Sequence, residues 1–270
     1  AQENELSGGF PVREWDGKDA RSLASILTGY DALVNLAGES IGAKRWTEKR
    51  FALVRQSRLV PGKAIADAWK IMVDPPGVLV QASAVGFYGT TALPVDENSK
   101  PGIDRLARLC LEWEASTQEV SARGARRIVI RSGVILDREK GILPQMTLPF
   151  KLFAGGPIGK GSQWVSWMHI EDEARAICFL LENPQCSGVY NLTSPVPVTN
   201  AQFGKIIAEV IHRPYWFTLP GFILRFVLGE MSILILEGQS VFPNRLTAAG
   251  FEFLFPDLKS ALNNLLGKVS

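Results

Sequence analysis

The feature that most constrains what this chain can fold into is residues 78–89, VLVQASAVGFYG, entered through Pro75, Pro76 and Gly77. A strand covered on both faces reads as a continuous apolar run, so this stretch predicts a central strand of a parallel sheet. Its carboxyl end opens into Ser83, Ala84, Gly86, Tyr88 and Gly89, small side chains with one hydroxyl and one phenol among them. An open parallel sheet places its ligand crevice there, which makes Ser83 and Tyr88 the first candidates for chemistry.

The flanking sequence alternates in a matching rhythm. A short amphipathic helix over 19–27 precedes a buried strand, ALVNL, at 32–36. Thr47 is placed to cap a helix to about residue 58, with a second helical piece from Pro61 to Trp69. A helix over 103–122 sets Leu106, Leu109, Cys110, Trp113 and Val120 opposite a charged face, and RIVIRSGV at 127–134 is the next buried strand. The alternation predicts an α/β fold, a doubly wound parallel sheet with right-handed crossovers. Strands at 34–38, 78–83 and 128–133 are then neighbours whose carboxyl ends share one crevice.

From Gly141 the rhythm changes. A helix is expected over 143–153, then a glycine-rich loop at 155–161, an alternating strand QWVSWMH at 163–169 and a helix over 171–182 that Asp172 caps. A strand over 188–192 follows, and the box Thr199-x-x-Gln202 opens a helix to His212. Residues 1–194 read as the sheet domain. Residues 195–270 read as a smaller, mainly helical C-terminal cap on the ligand edge, ending in a helix over 258–266.

With 270 residues and 46% hydrophobic content, the chain can bury a full core. Its formal net charge of +2 sets up no field that gathers nucleic acid or an anionic membrane. The expected partner is a small-molecule substrate, with no nucleic acid and no membrane, and a homodimer is compatible with the pattern. Cys110, Cys178 and Cys186 lack metal-ligand spacing, and Cys110 and Cys178 fall inside apolar helical patterns. They read as buried thiols of a reducing compartment, which predicts a cytoplasmic protein with no disulfide and no metal. The start, AQENELSGG, shows no basic-then-apolar signal pattern, and the apolar stretch 222–236 is interrupted by Arg225, Gly229 and Glu230, short of a membrane span.

Several motifs stand in a familiar order: Asn35-Leu36-Ala37-Gly38, the SAVGFYG run, Arg131-Ser132-Gly133-Val134, Trp167-Met168-His169-Ile170-Glu171-Asp172 and Gly188-Val189-Tyr190-Asn191. Their spacing resembles the extended short-chain dehydrogenase/reductases, the NAD-dependent epimerase/dehydratase-like group. Arg45-Trp46, Ser57-Arg58, AGGPIG at 154–159 and Leu236-Glu237-Gly238-Gln239 resemble more narrowly its epimerase-like branch with a C-terminal domain of unknown function. The resemblance spans about residues 15–266. It implies a Rossmann-like fold and an NAD(P)-dependent oxidoreductase or epimerase-like activity on a small polar substrate, with NADP as cofactor and NAD as the alternative. It further implies cofactor contacts from Trp15, Asp16, Leu36, Ala37, Gly38, Arg58, Ser83, Ser132, Gly133 and Val134.

The chain departs from that pattern twice. It begins where the family finishes its second strand, without the glycine fingerprint whose amides hold the pyrophosphate. The near match Gly86-x-x-Gly89-x-x-Ala92 runs into Leu93-Pro94-Val95-Asp96 and not into a helix. Either the sequence is a fragment or the fold lacks its first βαβ unit, and NADP(H) binding is expected to be millimolar or weaker. The second departure is the family's tyrosine, which precedes its lysine by four positions: none of Tyr30, Tyr88, Tyr190 and Tyr215 has that lysine. Asp104 and Arg108 stand where the motif belongs, on a solvent-side helix face. An aspartate there keeps a pKa of about 4 and cannot protonate an alkoxide at neutral pH.

Each candidate carries two readings. Leu36-Ala37-Gly38 is a tight strand end or a close approach of backbone to a ribose, and Trp15-Asp16 is a helix-entry loop or an adenine-side contact. Arg58 is a solvated helix arginine or a guanidinium forked onto phosphate. Ser83 is a turn hydroxyl or a donor to a substrate oxygen, and Tyr88 is core or its partner. Trp164, Trp167 and His169 pack and scaffold, or meet substrate beneath the glycine-rich loop. Arg45 and Trp46 belong to a capping loop, or close the pocket with the arginine on an anionic group. Two functions follow: a hydride-transferring enzyme in which Ser83 and Tyr88 polarise the substrate oxygen, or a catalytically degenerate dinucleotide-binding sensor or scaffold. The missing tyrosine-lysine pair favours the second, and the retained pocket residues favour the first.

Overall fold

The computed structural model describes residues 4–6 and 10–267. The chain runs β1 (Asn4–Leu6), β2 (Phe10–Val12), α1 (Ala20–Leu27), β3 (Ala32–Asn35), α2 (Glu48–Ile71), β4 (Val78–Ala84), α3 (Arg105–Ala115), β5 (Arg126–Ser132), β6 (Val134–Leu136) and α4 (Leu143–Lys151). It continues with β7 (Trp164–Val165), β8 (Trp167–His169), α5 (Ile170–Glu182), β9 (Gly188–Leu192), β10 (Val198–Thr199), α6 (Asn200–Val210), α7 (Gly221–Leu228), α8 (Ile233–Leu236), α9 (Asn244–Ala248) and α10 (Leu258–Leu266).

Four strands form one parallel sheet in the order β3-β4-β5-β9. The expected adjacency of the first three is therefore observed, and their carboxyl ends lie on one edge. Side chains alternate between faces along β4. Val80 and Ala82 pack with Ile128, Ile130 and Leu192 against Ala176 and Leu180 of α5. Leu79 points the other way, into a cluster with Leu27 of α1 and Ile65 and Trp69 of α2. Helices thus cover both faces, which is why β4 is apolar at nearly every position.

Local chemistry and packing compete visibly at five places. The sequence predicts a break at Pro61, yet α2 runs unbroken through it. A mid-helix proline loses a hydrogen bond and crowds the preceding turn, but Phe51, Val54, Ile65 and Trp69 are buried on both sides of it and hold the helix in one piece. The expected helix over 103–122 instead ends at Ala115, and a separate 3₁₀ turn spans Gln118–Arg123. RIVIRSGV is two strands: β5 ends at Ser132, and Val134 begins β6, which pairs with β8. A Cβ on Gly133 would lie 2.5 Å from the Ser166 carbonyl oxygen, so glycine is what lets the chain cross there. QWVSWMH likewise breaks at Ser166 into β7, paired with β10, and β8. Cys178, expected to be buried, is exposed, because the sheet-facing stripe of α5 is Ala176 and Leu180 and residue 178 lies on the other side.

The C-terminal helices are stitched to the sheet edge. Asn191 Nδ2 donates to the Phe242 carbonyl, Thr193 Oγ1 to Val241 and Ser194 Oγ to Pro256. The Thr199–Gln202 capping box forms as expected, and α6 and α10 close a core with Leu136, Leu143, Phe150 and Trp167. Among the described residues, no helix is long and apolar enough to cross a membrane.

Gly102 holds the turn after β4. A Cβ there would come within 2.6 Å of Gly89 Cα and 2.7 Å of the Tyr88 carbonyl oxygen. Gly102→Ala is expected to cost about 1–3 kcal/mol through overpacking, read as a lower urea midpoint at unchanged slope. A wild-type midpoint would show that this loop yields without strain.

Candidate functional site

The carboxyl edge of the sheet rests on a buried polar layer. Ser83 and Arg131 are register partners on β4 and β5, and both reach Glu114 of α3. Ser83 Oγ donates to Glu114 Oε1 at 2.7 Å, while Arg131 grips the same carboxylate with Nε at 2.8 Å and Nη2 at 2.9 Å. Arg131 Nη1 also donates to the Tyr88 hydroxyl at 3.1 Å, and that hydroxyl donates to Asn191 Oδ1 at 2.7 Å. The guanidinium lies over the Phe87 ring, 3.3 Å from its centroid. Burial works against the Arg131 cation, but Glu114 holds its pKa above the ordinary value. Burial likewise raises the Tyr88 phenol. A hydroxyl has one hydrogen to give, so in this arrangement Ser83 spends its own on Glu114 and Tyr88 on Asn191.

At the end of β3 the chain is open. Leu36 is 60% exposed, and the Ala37 amide donates to Asn35 Oδ1, while Asn35 Nδ2 donates to Gln81 Oε1. Arg58 of α2 lies under this turn: Nη1 donates to the Glu39 and Val54 carbonyls at 3.0 Å each, and the guanidinium stacks on Trp113. A Cβ on Gly38 would meet Arg58 Cζ at 3.2 Å, so glycine lets the backbone lie directly on the cation. Burial pulls the Arg58 pKa down. Trp15 Nε1 donates to the Asp19 carbonyl, and Asp16 Oδ1 accepts the Lys18 and Asp19 amides, which lower its pKa. Both residues shape the entry to α1.

Ser132, Gly133 and Val134 make the passage from β5 to β6. Their backbone is committed: the Gly133 amide donates to Leu192 and the Val134 amide to Ser166. The Ser132 hydroxyl lies 2.5 Å from Glu173 Oε1 on α5. Glu173 is buried, its Oε2 has no hydrogen-bond partner, and burial pushes its pKa up to about 7.

The substrate-side candidates are dispersed. Arg45 lies against Gly229, where a Cβ would meet its Nε at 3.0 Å. Trp46 is buried, donates Nε1 to the Ile41 carbonyl and meets Phe51 edge-on. Trp164 is half-buried in β7, and Trp167 is fully buried in the C-terminal core. His169 is a scaffold residue: Nδ1 accepts the Glu171 amide, Nε2 meets Asn264, and the ring stacks on Phe255. His169, and not Asp172 as expected, is the cap of α5: the helix begins at Ile170, which puts Asp172 inside its first turn. Asp172 instead accepts the Leu254 and Phe255 amides and pairs with Arg175. Asp104 caps α3 through the Ala107 amide and also accepts the Thr90 amide.

An open cleft of about 400 Å³ is lined by Thr90 from the loop after β4 and by Arg225, Ser232, Ile233, Leu236 and Glu237 from the C-terminal segment. Sequence reasoning missed this lining, as it missed Glu114 and Glu173. Only Arg131, a charge inside an apolar strand, signalled that a buried counter-charge had to exist.

Removing that counter-charge leaves an uncompensated buried cation. Glu114→Gln is expected to cost about 3–5 kcal/mol, against no more than about 1 kcal/mol for Glu112→Gln, whose pairing with Arg55 is exposed; equal losses in urea melts would refute the distinction. Glu173 gives a pH signature. A carboxyl whose folded pKa is raised holds a proton in the folded state that the unfolded state releases, so stability falls as pH rises from the ordinary value of 4.5 to about 7. Glu173→Gln should flatten that part of the curve and melt higher than wild type at alkaline pH. A variant that keeps the wild-type slope would place the titration elsewhere.

Comparison with known proteins supplies the family. Residues 219–265 match the model of a domain of unknown function (DUF1731). The epimerase family protein YfhF of Bacillus subtilis is 43% identical over 242 residues, 89% of this chain and 79% of that protein. The chloroplastic epimerase family protein SDR39U1 homolog of Arabidopsis thaliana is 38% identical over 95% of this chain and 75% of its own length. Among solved structures, human epimerase family protein SDR39U1 (isoform 2), crystallised with NADPH, superposes with a TM-score of 0.87 at 35% identity, covering 93% of this chain and 86% of that one. A parallel sheet with flanking helices, a helical C-terminal region and these relatives together make the chain a Rossmann-like member of the epimerase family proteins.

Proposed function

We propose that this chain binds NADP(H), with NAD(H) as the alternative, along the carboxyl edge of β3-β4-β5 and acts as an NAD(P)-dependent, epimerase-like oxidoreductase on a small polar substrate. The observation that carries the reading is the turn after β3. There an exposed leucine, a glycine with its backbone against a guanidinium, and an arginine braced by two carbonyls meet at the sheet's ligand edge. Arg58 uses Nη1 for those carbonyls, and Nη2 has no hydrogen-bond partner among the described residues, which suits it to a phosphate. Leu36 offers apolar surface to a ring, and Ser132-Gly133-Val134 forms the far side of the same edge. The NADPH held by the human relative supports this assignment. When bound, a nicotinamide dinucleotide supplies or accepts the hydride.

In this reading, residues 1–194 carry the cofactor and residues 195–270 complete the substrate side. The cleft places Arg225, Glu237, Ser232 and Thr90 around a space sized for a small molecule. Trp46 packs with Met231 of the C-terminal segment and Arg45 lies against Gly229. A second reading, a dinucleotide-binding sensor or scaffold without turnover, is favoured by one observation: the hydrogens of Ser83 and Tyr88 are already spent on protein acceptors.

Titration of NADPH into the full chain, followed by ligand-observed NMR so that a millimolar dissociation constant stays in range, tests the cofactor assignment. Leu36→Asp changes an exposed side chain, and is expected to weaken binding roughly ten-fold or more through lost apolar contact and charge repulsion while leaving the melting temperature unchanged. Equal binding by Leu36→Asp, or none by the wild type, would remove the dinucleotide from this edge.

A further inference from the structure

Two serines stand at the crevice end of the central strands, each paired with a glutamate, and the two pairs differ in kind. Ser83 meets a carboxylate that Arg131 holds bidentately, so its hydrogen is committed. Ser132 meets Glu173, whose other oxygen is buried without a partner. No described charge neutralises Glu173. β4 and β6 carry no ionisable side chain, and Arg131 of β5 is spent on Glu114 and Tyr88. On β8, His169 is spent on the Glu171 amide and Asn264. On α5 itself, Asp172 is bound by Arg175 and two amides, and Glu171 is exposed.

We propose that Ser132 is the hydrogen-bond donor of the crevice, presented to a carbonyl or oxyanion of the bound ligand, and that Glu173 is the positioning residue that aims it by holding the proton of their contact. The donor count decides the direction. A neutral Glu173 donates its O–H to Ser132 Oγ, which leaves the serine hydrogen free to face the crevice. An ionised Glu173 takes that hydrogen, and Ser132 then offers only lone pairs. The carboxyl oxygens are too deeply buried to meet a ligand themselves, whereas Ser132 is only partly buried, at the edge of β5 beside Gly133. The inference deepens the cofactor reading above and rests on it for the identity of the ligand. Of the two strand-end serines, Ser132 is the one whose hydrogen a protonated partner carboxyl would release to the crevice.

The test uses the full chain in two arms. Infrared difference spectra across the value of about 7 are expected to show a protonated-carboxyl band that fades as pH rises and that Glu173→Gln lacks; no such band in the wild type overturns the proposal by itself. NADPH titrations over the same range are expected to weaken roughly ten-fold in wild type as the donor is lost. Glu173→Gln, whose amide still donates to Ser132, should keep the tighter affinity throughout, and Ser132→Ala the weaker one. Comparison with the variants cancels titration of the ligand's own phosphate. If NADPH binds but wild type and both variants share one pH profile, the proposal fails and the cofactor reading stands. If NADPH binds at no pH, the cofactor reading fails and the ligand-facing role of Ser132 fails with it, even where the carboxyl band is present.

Discussion

The buried ion pair between Arg131 and Glu114 is the interaction on which the rest of the crevice depends. Removing two charges from water is costly, and only a geometry that satisfies nearly every donor and acceptor compensates for it. Here Arg131 has the Glu114 carboxylate, the Tyr88 hydroxyl and the Phe87 face, and Glu114 has Ser83 as its further donor. The same bond set continues through Tyr88 to Asn191, and from Asn191 to Glu97 and Phe242. Glu97 accepts the Arg245 amide as well. One ion pair therefore ties α3, the three strands β4, β5 and β9, the loop after β4 and the start of the C-terminal helices into a single rigid floor.

That rigidity determines which side chains remain available for chemistry. A serine that donates to a carboxylate doubly gripped by an arginine is a structural donor. A serine beside a carboxyl that burial pushes up to about 7 has its own hydrogen to spare while that carboxyl holds its proton. Both serines sit at the ends of neighbouring strands, one on each face of the sheet, and the difference between them is set entirely by whether a cation shares the pocket. Cys110 follows the same rule in reverse, since burial pushes its thiol up to about 12 and removes it as a nucleophile.

The C-terminal segment is bonded to the sheet domain along two seams. Backbone carbonyls of Val241, Phe242 and Pro256 receive side-chain bonds from the ends of β9 and the loop beyond it. Ser166 binds both the Gln239 carbonyl and the Val241 amide. On the opposite flank, Trp46, Phe51 and Leu109 pack with Met231, and Arg105 bridges Glu48 and Glu230.

By itself, the sequence determined the layered architecture. Burial on both faces forces unbroken apolar strands, and burial on one face forces the helical stripes, so β3, β4, β5, β9, the Thr199 capping box and the limits of β9 and α10 were legible in the residues. Tertiary structure decided everything that depends on which distant side chain completes a polar group. The continuity of α2 through Pro61, the crossing at Gly133 and the split at Ser166 follow from neighbours that no local pattern names. The same holds for Ser83, Tyr88 and His169, whose residue types permit catalysis but whose partners, Glu114, Asn191 and Asn264, lie 31, 103 and 95 positions away. A hydroxyl's role is set by the acceptor it meets, and that acceptor is chosen by the fold.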